Sequence, residues 1–253
     1  MAFYDLNKQE RADTVAVIQK AILVELQTKR FKKTILYFAD ADTYIRKAAY
    51  ISTGRLFFLH PLLRKEIIQL FDKLLTHPDF KVRQTVINAA GEIGKTNFEI
   101  VQHIFDKELF DVHHSPRNAV IGSVKKMGEV NPVPVLAWAK TYLHHNDKEI
   151  RREICHGIEL RGRKHPHDIL PLLQELEFDE TARVHNTLVH VLGQIAYKEG
   201  CLKIVIKHLN KWKNKALVKK ALNEIIDVHH RYRYFSALTQ QQAKQYIKDN
   251  VML

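Results

Sequence analysis

Residues Ile150–Pro166 read IRREICHGIELRGRKHP. The Ile-Arg pair at their head decides the fold, because it returns along the chain. Arg117 stands 34 residues before Arg151, and Arg83 another 34 before that. Going forward, the same step reaches His185 and then Lys219, and an earlier copy, Arg46, lies 37 residues before Arg83. The residue in front of each anchor is Ile45, Val82, Pro116, Ile150, Val184 and Val218, β-branched in every copy but one. Self-similarity at this period marks an array of helix pairs, each burying its apolar face only against its neighbours. The expected fold class is therefore all-α, a right-handed α-α superhelix of about six helix-pair repeats.

Composition agrees. Glycine (9) and proline (7) are scarce in 253 residues, and aromatic and β-branched residues do not alternate in short runs, which argues against strands. No apolar run approaches the ~18 residues that a membrane span needs. The opening MAFYDLNKQERAD carries acids and no apolar core, so no secretory signal is read there. Cys155 and Cys201 form neither a CxxC nor a zinc pattern and read as reduced thiols of a cytoplasmic protein. The formal charge of +12 points to a polyanionic partner.

One domain is expected over residues 1–253: capping helices over 1–40, repeats over 41–232 and a C-terminal cap over 233–253. Residues 5–28 have helical spacing. The inner helices open at Asp42, His77-Pro-Asp79, His114-Ser-Pro116, Asn146-Asp147 and Asp179-Glu-Thr181, with Ser115 as a cap and Pro116 in the first turn. Outer helices are expected over 62–75, 98–110, 134–143, 167–176 and 201–211. Thr239 with Gln242 has the spacing of a capping box. Apolar residues three, four and seven after the anchor, Val86, Ile87 and Ala90 in the second copy, make the buried stripe. Glycines fall eight residues after the anchor at Gly54, Gly91 and Gly193 and eleven after at Gly94, Gly128 and Gly162, where they allow close helix packing or a left-handed exit from the helix.

Positions one, five, eight and twelve after each anchor share one helix face. That face holds Gln84 and Asn88 in the second copy, Asn118 and Lys125 in the third, and Arg152, His156, Glu159 and Arg163 in the fourth. It continues with Asn186, His190 and Tyr197 in the fifth and Lys220, Glu224 and Asp227 in the sixth. Stacked, these faces form a polar ribbon on the concave wall, suited to a phosphate backbone. The fourth copy is densest, with Arg161, Arg163 and Lys164 beside His156 and Glu159. His156 and Glu159 are helix neighbours, and Glu159 is expected to pair with a surrounding arginine. His156, Glu159, His190 and Glu224 are conceivable metal ligands. Equivalent positions on stacked helices recur at the interaxial spacing of ~8–10 Å, too far apart to share one ion. No metal and no cofactor are expected. Two further basic runs, Lys207–Lys220 and His229–Tyr234, interleave bases with Trp212, Tyr232 and Tyr234 and could hold nucleic acid by stacking.

The Asp, β-branched residue and Arg that open the inner helices resemble HEAT-like repeats. Within these, the chain looks most like the DNA alkylation-repair superfamily, and the resemblance covers about residues 79–232. RREICHGIELRGR is similar to the Arg-Arg…Glu-Gly…Arg-Pro-Arg stretch of one glycosylase branch, with Arg151, Arg152, Gly157 and Arg161 matching. His156 stands where that branch has an acid, and Glu159 where it has an arginine. In the other branch, Arg152 matches a DNA-contacting arginine, but Arg117 takes the place of the catalytic aspartate, and His113 and His190 those of two groove tryptophans. The resemblance implies a solenoid holding duplex or branched DNA in a basic concave groove.

The expected DNA contacts are Gln84, Asn118, Lys125, Arg152, Arg161, Arg163, Lys164, His190 and Lys220. If the chain is an enzyme, the resemblance implies an N-alkylpurine DNA glycosylase, with Glu159 and His156 as the catalytic candidates. The alternative reading is an interaction scaffold whose groove takes an acidic protein segment.

Overall fold

The helical phase opens where Asn7 and Glu10 each bond the other's backbone amide. This reciprocal cap starts α1 (Lys8–Thr28). α1 ends at Lys29, which has a left-handed backbone with φ 57°. The buried Glu25 carboxylate then accepts from the amides of Lys33 and Thr34 and from the Thr34 hydroxyl. It supplies the cap that Phe31 does not give to α2 (Lys32–Ala39).

The computed structural model describes Phe3–Met252. The chain continues through α3 (Thr43–Leu59), α4 (Arg64–Leu74), α5 (Phe80–Gly94), α6 (Phe98–Glu108), α7 (His114–Val130), α8 (Pro132–Tyr142) and α9 (Lys148–Gly157). It then forms α10 (Glu159–Gly162), α11 (Pro166–Gln174), α12 (Ala182–Gln194), α13 (Cys201–Leu209), α14 (Lys215–Arg231) and α15 (Gln240–Asn250). The fold is all-helical, with no strand among the described residues. None of the described helices is long and apolar enough to cross a membrane.

The anchors fix the turns. Asp42, Asp79 and Asp147, four residues before Arg46, Arg83 and Arg151, cap α3, α5 and α9 by accepting the amide two residues on. Each arginine then reaches back over that cap. Arg46 Nη1 donates to the carbonyls of Asp40 and Ala41, Arg83 Nη1 to those of His77 and Pro78, and Arg151 Nη1 to those of His145 and Asn146. Arg117 Nη1 donates to the carbonyl of Asp111. Two anchors also reach forward by 28 residues. Arg83 binds both carboxylate oxygens of Asp111 at 2.6 and 3.0 Å, and Arg151 those of Asp179 at 2.5 and 3.2 Å. Asp111 and Asp179 in turn accept the amides of His113 and Thr181, so each shapes the turn that precedes the next anchor.

The described residues divide into two compact units, one up to Ser123 and one from Val124, the division falling within α7. In the first unit α3 lies between α1 and α5, with α2 against α3 and α5 and with α6 against α5. In the second, α12 lies between α9 and α14, and α11, α13 and α15 follow one another beside that row. Val86, Ile87 and Ala90 are fully buried, as the stripe requires. A Cβ on Gly91 would stand 2.6 Å from Ser123 Oγ, and one on Gly193 2.6 Å from Glu224 Cγ. These two glycines are spent on helix packing, whereas Gly122 faces open space.

Three boundaries differ from the sequence reading. α7 begins at His114, and Ser115 lies inside it, its amide bonded to His113 Nδ1; the histidine does the capping. The fourth inner helix breaks at Ile158, between α9 and α10. α12 stops at Gln194, so Tyr197 lies beyond it, buried and stacked on Tyr232 at 5.2 Å between ring centres. At the C-terminus the Thr239–Gln242 capping box forms as expected.

Candidate functional site

Four elements of the second unit bring their polar faces to one carboxylate, that of Glu159. It sits at the first position of α10, one residue after the break, and is 1% exposed. Burial of a bare carboxylate is costly, so it must be met by donors. Arg163, one turn on, binds Oε1 through Nε and Nη2, and its Nη2 also donates to Gln194 Oε1 at the end of α12. Lys125 of α7 reaches Oε2 at 3.0 Å, and His156 Nε2 of α9 stands 3.1 Å from the same oxygen. Lys125 Nζ is also 2.9 Å from His156 Nε2. His190 of α12 completes the group, with Nε2 4.0 Å from Glu159 Oε2 and Nδ1 3.8 Å from Glu224 Oε1. Arg231 pairs with that same Glu224 oxygen.

The break at Ile158 does not scatter these side chains. The His156–Glu159 and Glu159–Arg163 spacings remain those of helix neighbours. Burial alone would raise the Glu159 pKa. The hydrogen bond from His156 and the charges of Lys125 and Arg163 outweigh it and hold the carboxyl down at about 2. Burial pushes His190 the other way for a base, below its ordinary value, with the nearby carboxylates opposing. The cluster is therefore an ionised carboxylate gripped by a lysine and an arginine, with two imidazoles at its open side.

The convergence corrects one expectation. One ligand atom from each of His156, Glu159 and His190 lies within 4.8 Å of the others. The interaxial spacing separates backbones, but side chains leaning toward a shared point close the gap. The imidazole rings meet edge to face, 5.8 Å between centres. Glu224 joins through His190 and not directly.

The remaining residues expected at the DNA face are mostly engaged within the chain. Arg152 pairs with Glu149 at 2.9 Å and with Glu153 at 3.4 Å. Arg161 pairs with Asp168 at 2.6 Å and donates to the Glu129 carbonyl, while Lys164 pairs with Glu129 at 2.6 Å. In the first unit, Gln84 lines a small cleft of about 270 Å³ with Lys47, Tyr50 and Asn88, and Asn118 is exposed. Lys220 is exposed on α14. Trp212 is 1% exposed with its Nε1 bonded to His208 Nδ1, so it offers no stacking face. Tyr234 is 82% exposed, with Arg233 over its ring. Cys155 is wholly buried, and burial pushes its thiol far above the ordinary range, which leaves it chemically quiet.

Sequence reasoning missed Gln194, the residue that fixes Arg163. It also missed Glu108, which is 3% exposed and hydrogen-bonded to Asp111. An acid in the last turn of a helix opposes the helix dipole, and that misplacement was the available signal for Glu108.

No family model matches the chain, and no curated protein matches it. Among solved structures, the crystal structure of an engineered protein is similar to it at a TM-score of 0.36 and 14% identity, covering 78% of this chain and 96% of the other. At that level the likeness carries no argument about function.

Proposed function

We propose that the chain is a DNA-binding HEAT-like repeat protein, related to the DNA alkylation-repair superfamily and cytoplasmic. Its helix pairs would follow one another as a right-handed superhelix and hold duplex or branched DNA on a basic face. The recurrence of one arginine clasp at Arg46, Arg83, Arg117 and Arg151 supports the repeat reading.

The observation that carries the DNA reading is the stretch Cys201–Asn223. It contains Lys203, Lys207, Lys211, Lys213, Lys215, Lys219 and Lys220, all exposed, and no acid. Lys215 Nζ donates to the Met252 carbonyl, but among the described residues none of the seven is paired with an acid, so the run attracts a polyanion without first breaking an ion pair. The arginines of the fourth copy must break an ion pair to take a phosphate, so they contribute less than their number suggests. The interface accordingly centres on α13, the turn after it and the start of α14. Base excision is not part of the proposed activity, because the best-placed carboxylate, Glu159, is already paired.

The test is fluorescence anisotropy with duplex and branched DNA across a salt series. Affinity should fall steeply, with a log–log slope of about −0.9 per phosphate neutralised on duplex DNA. Lys219→Glu with Lys220→Glu should flatten that slope, while Arg152→Ala changes it little. Binding of an acidic peptide with no binding of DNA at low salt would instead establish the scaffold reading.

A further inference from the structure

We propose that His156, Glu159 and His190 form a binding site for a first-row divalent metal ion of the zinc type, with Lys125 as the built-in cation that the ion displaces. The site goes beyond the DNA reading and does not depend on it.

Three observations point to it. The first is the donor set. Two imidazoles and one carboxylate, from α9, α10 and α12, present ligand atoms within 4.8 Å of one another. Tetrahedral zinc with bonds of about 2.0–2.1 Å spaces its ligands about 3.3 Å apart. The His156–Glu159 pair stands at 3.1 Å and the His190–Glu159 pair at 4.0 Å, so closure needs movement of under an ångström along these edges. Nitrogen donors with a single carboxylate favour zinc over calcium or magnesium, which take mostly oxygen.

The second observation is the support behind the ligands. Arg163, itself held by Gln194, occupies Glu159 Oε1, so that Oε2 faces the two histidines and Lys125. Glu224 lies 3.8 Å from His190 Nδ1, behind the nitrogen that faces Glu159. A carboxylate on the far nitrogen of a ligating histidine fixes the ring and raises its basicity.

The third is the lysine. Lys125 Nζ stands 2.9 Å from His156 Nε2 and 3.0 Å from Glu159 Oε2, so a positive charge already rests between two of the three ligand atoms. Its side chain is 22% exposed. The ammonium and a metal ion compete for the same Glu159 oxygen and for the same space beside His156. Removing the ammonium while keeping its apolar stem should therefore strengthen metal binding.

The experiment titrates zinc chloride into the full chain, stripped of metal beforehand, by isothermal calorimetry, with cobalt(II) absorption to report coordination. One zinc per chain is expected. His156→Asn and His190→Asn should each weaken binding about tenfold or more, and Lys125→Met should tighten it about tenfold, as a competing ion pair is relieved. Helix content and melting of each variant are measured alongside. If His156→Asn fails to fold, the half-exposed His190→Asn and Lys125→Met carry the test. Zinc bound equally by both histidine variants would place it on other histidines and overturn the proposal. So would Lys125→Met binding no more tightly than wild type, or no saturable binding by either.

Discussion

Arg151 holds Asp179 by two parallel bonds, Nε to Oδ2 at 2.5 Å and Nη2 to Oδ1 at 3.2 Å, across 28 residues of chain. The side chains are 16% and 6% exposed, so the pair is shielded from solvent. Asp179 also accepts the Thr181 amide, which ties the pair to the turn before α12.

Breaking one side of such a pair strands the other. Arg151→Ala should destabilise the second unit by about 3 kcal/mol, and Arg151→Lys by less, because a lysine cannot make both bonds. Asp179→Asn should fall between them. Urea denaturation of the single and double variants gives the coupling, and a coupling near zero would remove the clasp from the account of the fold.

Glu108 should make stability fall as pH rises. Burial, the hydrogen bond with Asp111 and the charge of Asp111 raise its pKa from 4.5 to about 7. In the unfolded chain it ionises near 4.5, so its proton stabilises the fold fully below that pH. The contribution is lost between about 4.5 and 7, amounting to roughly 2–3 kcal/mol at most. Glu108→Gln, neutral throughout, should flatten this fall and be more stable than wild type at pH 8. Denaturation midpoints at pH 5 and pH 8 decide it.

Glu159 has the opposite sign. Its pKa, held down at about 2 against burial by His156, Lys125 and Arg163, contributes stability above 4.5 that is lost as the pH falls toward 2. Glu159→Gln should therefore lose stability at neutral pH and converge on wild type in acid.

Excision of N7- and N3-alkylpurines should be weak or absent. The developing sugar cation needs a carboxylate directed at it, and the Glu159 carboxylate is directed at Arg163, Lys125 and His156. Release of labelled alkylpurines from treated DNA is the assay. Robust release that collapses in Glu159→Gln would show that DNA opens these pairs.

The glycines separate packing from exposure. Gly91→Ala should cost about 1–3 kcal/mol, since its Cβ would meet both Cβ and Oγ of Ser123 within 2.8 Å. Gly122→Ala, in the same fold and facing open space, should gain about 0.5–1 kcal/mol from helix propensity. Thermal melts of the two variants should shift in opposite directions.

The starts of α3, α5 and α9 were legible because caps and anchors are local: Asp42, Asp79 and Asp147 act four residues before the arginines they precede. The buried stripe was legible for the same reason. The pairing of Glu159 with an arginine also followed from spacing, since Arg163 is one turn away. What spacing could not give was the destination of side chains that cross between helices. Gln194 meets Arg163 across 31 residues, Lys164 meets Glu129 across 35, and Lys125 meets Glu159 across 34. Two of these contacts neutralise charge and the third fixes Arg163, which turns a basic cluster into a compensated one. They also move the surplus charge to α13 and α14, where the seven lysines had no acids to meet. Trp212 misled for a related reason: its basic neighbours lie on the surface, but its ring fills the core.

The two tryptophans of the chain, Trp138 and Trp212, are 4% and 1% exposed, and both belong to the unit that begins at Val124. Indole emission shifts to the red when such rings meet water. The intrinsic fluorescence of this protein is therefore a label-free gauge of one half of the molecule, silent about the helices from α1 to α6. Circular dichroism sees both halves, so a gap between the two unfolding curves would measure directly how far the halves melt apart.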